Sequence, residues 1–321
     1  MMKFLVKLIG FTVLAALIGI SFAACGGGAG SSGPVDVVYV AGWNNNTAAY
    51  WKDSERQTLT GAASGSSGAY GIAVSGADVY VAGYNYNTAV YWINGIQQTF
   101  DGASTGSSRA YAIAISGSSV YVAGANNGYN AAYWKDEKLQ TLDNAAINNS
   151  SANAIAISDS SVYVAGYNAG AAYWKDDDPQ DPLEGASTAS SATGIAVSGP
   201  DVYVVGWNYA TAVLWKDEEL PLEGAIPVIS QANGIAVSGS TVYIAGSNDG
   251  TAVYWINGEL QPLNGAVSGN SRANAIAVSG SNVYVAGMNN GTAALWINGV
   301  QRSLAGLIGV SEATAIAVVR E

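Results

Sequence analysis

One short stretch recurs seven times along this 321-residue chain: Val-Tyr-Val-Ala-Gly or a close variant, followed eight to ten residues later by a Trp. The Gly falls at Gly42, Gly83, Gly124, Gly166, Gly206, Gly246 and Gly287. The partner Trp falls at Trp51, Trp92, Trp134, Trp174, Trp215, Trp255 and Trp296. Successive Gly residues stand 40 to 42 positions apart. A period near 40 built from β-type segments restricts the chain to a repeat array, in which no unit can bury its apolar face alone.

Each unit reads as four short strands. Apolar residues alternate around the Tyr of the first, which is the period of a strand. An Asn/Gly-rich turn follows, and then Thr-Ala-x-x-Trp, as in Thr88 to Trp92. Three units continue with Asn-Gly, at Asn94-Gly95, Asn257-Gly258 and Asn298-Gly299. That pair supplies positive φ at both centres of a two-residue hairpin, so the flanking strands should be antiparallel neighbours. In the other four units Lys-Asp takes the place, at Lys52-Asp53, Lys135-Asp136, Lys175-Asp176 and Lys216-Asp217. The third strand ends in one apolar residue, such as Leu59 or Phe100. A polar loop then leads to Ser-x-Ala-x-Ala/Gly-Ile-Ala-Val/Ile, centred on Ile72, Ile113, Ile155, Ile195, Ile235, Ile276 and Ile316. The small residues around that Ile predict the innermost strand of a ring. The expected fold is all-β: a seven-bladed β-propeller with four-stranded blades.

The two ends sharpen this. The array opens at Val35 with no Ile-Ala-Val strand before it, and closes with Ala313 to Val319 with no Val-Tyr-Val-Ala-Gly after it. One blade is therefore expected to be split, with Ile316, Ala317 and Val318 supplying the inner strand to the blade formed by residues 35–61. Such closure hides both sheet edges. Burying Ile316 and Val318 alone contributes about 3–6 kcal/mol.

Composition excludes several functions. The net charge is −11, with 12 Lys and Arg against 23 Asp and Glu, which argues against a nucleic-acid partner. The chain has no His, so the commonest general base and metal ligand is missing. Its one Cys, Cys25, cannot form an intrachain disulfide or a Cys-cluster metal site. No catalytic residue, cofactor or metal is expected, and a monomer is.

The first 24 residues read as a secretory signal: Lys3 and Lys7, an apolar core from Leu8, and small residues before Cys25. Phe22-Ala23-Ala24-Cys25 resembles a bacterial lipobox, whose Cys becomes the lipidated first residue of the mature protein. The resemblance implies a lipoprotein held through lipid on Cys25 at the outer membrane or cell surface. Residues 25–34 would be the lipidated Cys and a Gly/Ser tether, and residues 35–321 the propeller. The repeat itself resembles bacterial extracellular repeats of the HAF type and related propeller-forming lipoprotein repeats, and its blades have the size of WD repeats. The likeness implies the same fold and an extracytoplasmic location.

Candidate sites lie in the varied positions. An Asn stands two residues after the Gly in every unit, from Asn44 to Asn289, and is expected to shape a turn. Around it the residues differ: Trp43, Tyr84, Tyr86, Tyr129, Tyr167, Trp207, Tyr209 and Met288. Aromatic rings beside amides suit a glycan or a protein partner. At the channel entrance, two before the Ile, stand Tyr70, Tyr111, Asn153, Thr193, Asn233, Asn274 and Thr314. Two positions earlier still come the charges Arg109, Arg272 and Glu312, which sequence spacing does not bring together. The Ser before them, Ser67 in the second unit, is expected to bond the loop backbone, since no base could activate it. The acidic run Asp176, Asp177, Asp178, Asp181 and Glu184 is expected to be a solvated turn, being broken by Pro179 and Pro182. Together these features point to an envelope binding or scaffolding module presenting an aromatic, Asn-rich face to a protein or glycan. A hydrolase or lyase acting at the channel mouth and a purely structural envelope protein are the alternatives.

Overall fold

The computed structural model describes residues 34–146, 149–179 and 183–321. Cys25 with its leader, most of the tether, and Asp181 lie outside the described residues. Among the described residues, 28 strands form seven four-stranded antiparallel sheets. Blade 2 runs from axis to rim as Ser67–Ser75, Asp78–Asn85, Thr88–Ile93 and Ile96–Thr99. The inner strands of blades 3 to 7 are Arg109–Ser116, Ser150–Ser158, Ser190–Ser198, Ser230–Ser238 and Ser271–Ser279. Blade 1 is the split one. Its inner strand is Ser311–Arg320, and its other three are Asp36–Asn44, Thr47–Lys52 and Glu55–Gln57. Val38 pairs with Val318 and Val40 with Ile316, so the last strand closes the ring as the sequence predicts.

The seven repeated Trp side chains are the packing units of the ring. Each is buried to 1% exposure or less. Trp92 shares a buried cluster with Tyr39, Ala41 and Ala48 of the preceding blade, and Trp51 with Tyr284, Ala286 and Leu295 across the closure. An aromatic ring of this size removes 150–250 Å² from water, worth about 4–6 kcal/mol at ~25 cal/mol per Å². In five of the seven, all but Trp134 and Trp215, the indole nitrogen also holds the incoming loop. Trp92 Nε1 donates to Thr60 O at 3.1 Å, and Trp51 Nε1 donates to Ala305 O at 2.9 Å.

Two further repeated positions, an Asn and a Ser, clamp the same loops. Asn85 donates from Nδ2 to Gly61 O at 2.8 Å and accepts from Ala63 N at 3.0 Å. Asn44 does the same across the closure, with Gly306 O and Ile308 N. This Asn is thus structural, but it ends a strand and grips a loop; the left-handed turn residues are the ones after it, such as Tyr86 and Asn87. Ser67 accepts from Ala48 N and donates to Ala63 O, tying blade 1 to the start of blade 2.

The floor hairpins correct one reading. Asn94-Gly95 forms the expected turn, with φ of 50° and 81°. In three of the four Lys-Asp units, however, the Lys ends the strand and the turns are Asp53-Ser54, Asp136-Glu137 and Asp176-Asp177, whereas in the fourth Asp217 alone joins Lys216 to Glu218. The Asp replaces the Asn chemically. Asp53 Oδ1 accepts from Val38 N just as Asn94 Oδ1 accepts from Val79 N, both at 2.9 Å. Lys52 then lays its ammonium over the Tyr39 ring at 5.4 Å.

Candidate functional site at the channel mouth

An irregularity in the inner strand builds the mouth. In every blade one residue of that strand is skipped by the pairing: in blade 2, Ala69 faces Gly83 and Gly71 faces Ala82, leaving Tyr70 unpaired. A bulge of this kind re-aims the extra side chain. It also drives a carbonyl toward the second strand. A Cβ on Gly83 would run into the Gly68 carbonyl oxygen, and one on Gly42 into that of Glu312. The repeated Gly therefore exists because of the bulge. The skipped residues are the seven that the sequence placed at the channel entrance: Tyr70, Tyr111, Asn153, Thr193, Asn233, Asn274 and Thr314.

Most of them reach sideways to the next inner strand. Asn153 donates to Ala192 O, Thr193 to Ala232 O, Asn233 to Ala273 O, Asn274 to Ala313 O and Thr314 to Ala69 O, all within 2.6–2.8 Å. Five of the seven are thus bonded to a neighbouring blade. Tyr70 and Tyr111, in blades 2 and 3, are the exceptions, and they occupy adjacent positions. Their ring centroids are 5.7 Å apart at 55°.

Around these two Tyr the varied residues gather. Gly68 leaves room for the ring of Tyr84, whose edge would meet any Cβ there. Tyr84 stacks on Tyr70 at 5.7 Å and 27°. Arg109 of blade 3 sets its guanidinium over the Tyr84 ring at 4.9 Å and donates to Asn87 Oδ1 at 3.1 Å. Burial pushes the Tyr70 hydroxyl up to about 12, helped by Tyr84 and opposed by Arg109. It raises Tyr111 as well, again against the pull of Arg109. Both hydroxyls are therefore neutral donors at physiological pH.

The other two charges pair with each other. Arg272 donates from Nε to Glu312 Oε1 at 2.7 Å and from Nη2 to Oε2 at 2.5 Å. Asn274 adds a bond to Oε1 at 2.7 Å. Spacing gave no reason to join them, but equal places on neighbouring inner strands lie side by side, and blade 7 adjoins blade 1. The hydrogen bonds to Glu312 hold the Arg272 guanidinium above its ordinary range, more than burial lowers it. Arg109 has no such carboxylate: the salt bridges among the described residues are Arg272–Glu312 and Lys216–Asp201.

The remaining candidates are more dispersed. Trp43 and Trp207 lie half-buried on blades 1 and 5, opposite Glu312 and Ser191. Tyr167 sits likewise on blade 4, opposite Ser151. Tyr86, Tyr129 and Tyr209 project from turn tips, 65–72% exposed. In the acidic run, Asp176 is a left-handed turn residue that accepts from Val162 N. Below the mouth, the seven inner strands enclose a channel cavity of about 240 Å³, lined by Ile, Val and Ala such as Ile72, Ile195 and Val318.

Fold and site together define a seven-bladed propeller whose mouth breaks its own symmetry at blades 2 and 3. No protein-family model matches the chain, and no curated protein matches it in sequence. Solved structures do. The chain is similar to the computationally designed Ika8 protein, with TM-score 0.52 and 21% identity over 80% of this chain and 79% of that one. It is also similar to a "putative 6-phosphogluconolactonase" from Bacteroides uniformis, with TM-score 0.55 and 15% identity over 88% of this chain and 99% of that one. At these identities the likeness is one of fold.

Proposed function

We propose that this chain is an extracytoplasmic binding module, held at a bacterial membrane by lipid on Cys25, whose mouth face takes a glycan. One observation carries the reading: blades 2 and 3 give up the inter-blade tie made at the other five bulges and place Tyr70 and Tyr111 there, with Tyr84 stacked alongside. Tilted rings with neutral hydroxyls offer apolar faces to sugar C–H groups and donors to their oxygens. Binding is favoured over hydrolysis or elimination because both oxygens of Glu312, the carboxylate bonded into the mouth, are held by Arg272 and Asn274. The unused group there is Arg109, which is no general base.

The test is an array of envelope and plant oligosaccharides probed with the protein lacking residues 1–24. Binding that is lost in Tyr70→Ala/Tyr111→Ala, with the thermal melt retained, supports the assignment. Absence of any glycan binding refutes it. Anchoring is tested apart from this, by palmitate labelling and membrane fractionation. Cys25→Ser should abolish both signals.

A further inference from the structure

We propose that the corner formed by Arg109, Tyr70, Tyr84 and Tyr111 selects sugars bearing a carboxylate, with the sugar ring against Tyr70 and Tyr111 and the carboxylate on the Arg109 guanidinium. This rests on the glycan reading above and names the class of glycan. Three observations point to it.

First, Arg109 pairs with no carboxylate among the described residues, in a chain of net charge −11. The equivalent cation in blade 7, Arg272, is neutralised by Glu312, and Asn274 completes that carboxylate's shell. The mouth thus holds a finished ion pair on one side and half of one on the other. A guanidinium left exposed above aromatic rings is a place for an anion to arrive from outside.

Second, the guanidinium is held in a fixed plane. It lies over the Tyr84 ring at 4.9 Å, and one nitrogen is bonded to Asn87. Tyr84 is in turn fixed by stacking on Tyr70 over the bare backbone of Gly68. A planar fork held in this way matches a planar carboxylate through two parallel N–H···O bonds. A single Arg suits a monoanion. A phosphate monoester carries close to two charges, which one guanidinium does not balance within a strongly acidic protein.

Third, the walls are aromatic and set at an angle. Tyr70 and Tyr111 meet at 55°, forming an angled shelf next to Arg109 in place of a single flat stack.

The experiment is a titration of the protein lacking residues 1–24 with matched oligosaccharides. One member of each set carries hexose, one the corresponding hexuronate, and one the hexose 6-phosphate or 6-sulfate. The hexuronate should bind about tenfold more tightly than the hexose at low salt, with the gap narrowing as salt rises. Arg109→Gln should remove the preference, bringing hexuronate and hexose to the same affinity. Arg302→Gln, on the outer strand of blade 7, should leave the preference intact. Equal affinity for hexose and hexuronate overturns the carboxylate assignment while the glycan reading stands. Tighter binding of the phosphate or sulfate form overturns it as well. Failure of every sugar overturns both. A hexuronate preference that survives in Arg109→Gln places the carboxylate elsewhere and overturns the role of this corner.

Discussion

Two arcs of the same mouth are built on the same bulge and do different things. Along blades 4 to 6 the bulge residues are Asn153, Thr193 and Asn233, each bonded to the next blade, with Ser151, Ser191 and Gln231 beside them. From blade 7 through blade 3 the same places hold Arg272 and Glu312, then Tyr70, Arg109 and Tyr111. The first arc spends its side chains on joining blades. The second keeps the ion pair for joining and releases two Tyr and one Arg from it. Repetition thus marks the scaffold, and departure from repetition marks the place where the ring can meet something else.

The strongest way to break this division is to attack the scaffold. Deleting residues 311–321 removes the inner strand of blade 1 with Ile316 and Val318. At about 3–6 kcal/mol for those two side chains, and roughly 2–4 °C per kcal/mol in a large domain, the melt should fall by about 6–24 °C or lose its cooperativity. A melt unaltered by calorimetry would mean that the ring does not need closure.

Next in size are two glycines, one repeated in every unit and one not. Gly83→Ala sets a Cβ against the Gly68 carbonyl oxygen, fixed backbone that cannot yield. About 3 kcal/mol of stability should be lost in denaturant unfolding, as for overpacking generally. Gly68→Ala meets only the tip of the Tyr84 ring, which can swing away. It should cost less than about 1 kcal/mol, yet weaken glycan binding, because the Tyr84 and Arg109 stack is displaced. Equal stability loss in the two variants would contradict the distinction drawn here.

A smaller effect runs the other way. Tyr70→Asn would recreate the tie that Asn153 makes in blade 4. Stability should hold or rise, by about 1 kcal/mol for one added hydrogen bond, while glycan binding falls. Marked destabilisation would show that Tyr70 is part of the scaffold after all.

The smallest effect is on pH dependence at the closure. Asp36 accepts bonds from Ser279, Asn282 and Tyr284 of blade 7. Burial works against its charge, but these bonds and Arg320 outweigh it and leave the carboxyl below the ordinary 3.8. Its contribution is therefore present above about pH 4 and lost as pH falls further. Asp36→Asn should flatten the acid limb of the stability curve. Burial and the bond to Asp36 raise Tyr284 to about 12. The phenol's share is present below pH 10 and lost as pH climbs toward 12, so Tyr284→Phe should shallow the alkaline limb.

Much of the scaffold was legible because each repeated residue has one local task. The Trp spacing, the Asn-Gly turns and the terminal Ile-Ala-Val strand each led directly to an element of the ring. The bulge was not legible. A skipped residue breaks the alternation of Ser67 to Val74 without any special residue type, so only the pairing reveals it. The Lys-Asp turns were misplaced by one residue because Lys52 looks like a turn residue and is a strand end packed on Tyr39. The Arg272–Glu312 pair was missed because its members lie 40 positions apart, although one repeat length is the separation at which neighbouring blades meet. The Arg109 corner needed structure for another reason: Gly68, Tyr84 and Arg109 come from three strands, and only their packing makes one surface.

One detail of the closure bears on how the molecule stands. Val35 and Glu321 exchange backbone hydrogen bonds of 2.8 and 2.9 Å, and Asp36 pairs with Arg320. The ring is thus entered at the end of an inner strand remote from Ser311, on the side of the floor hairpins. Val35 itself therefore lies on the face of the ring opposite the mouth. If the proposed lipid on Cys25 holds the protein, it does so from the face opposite the Tyr-lined opening.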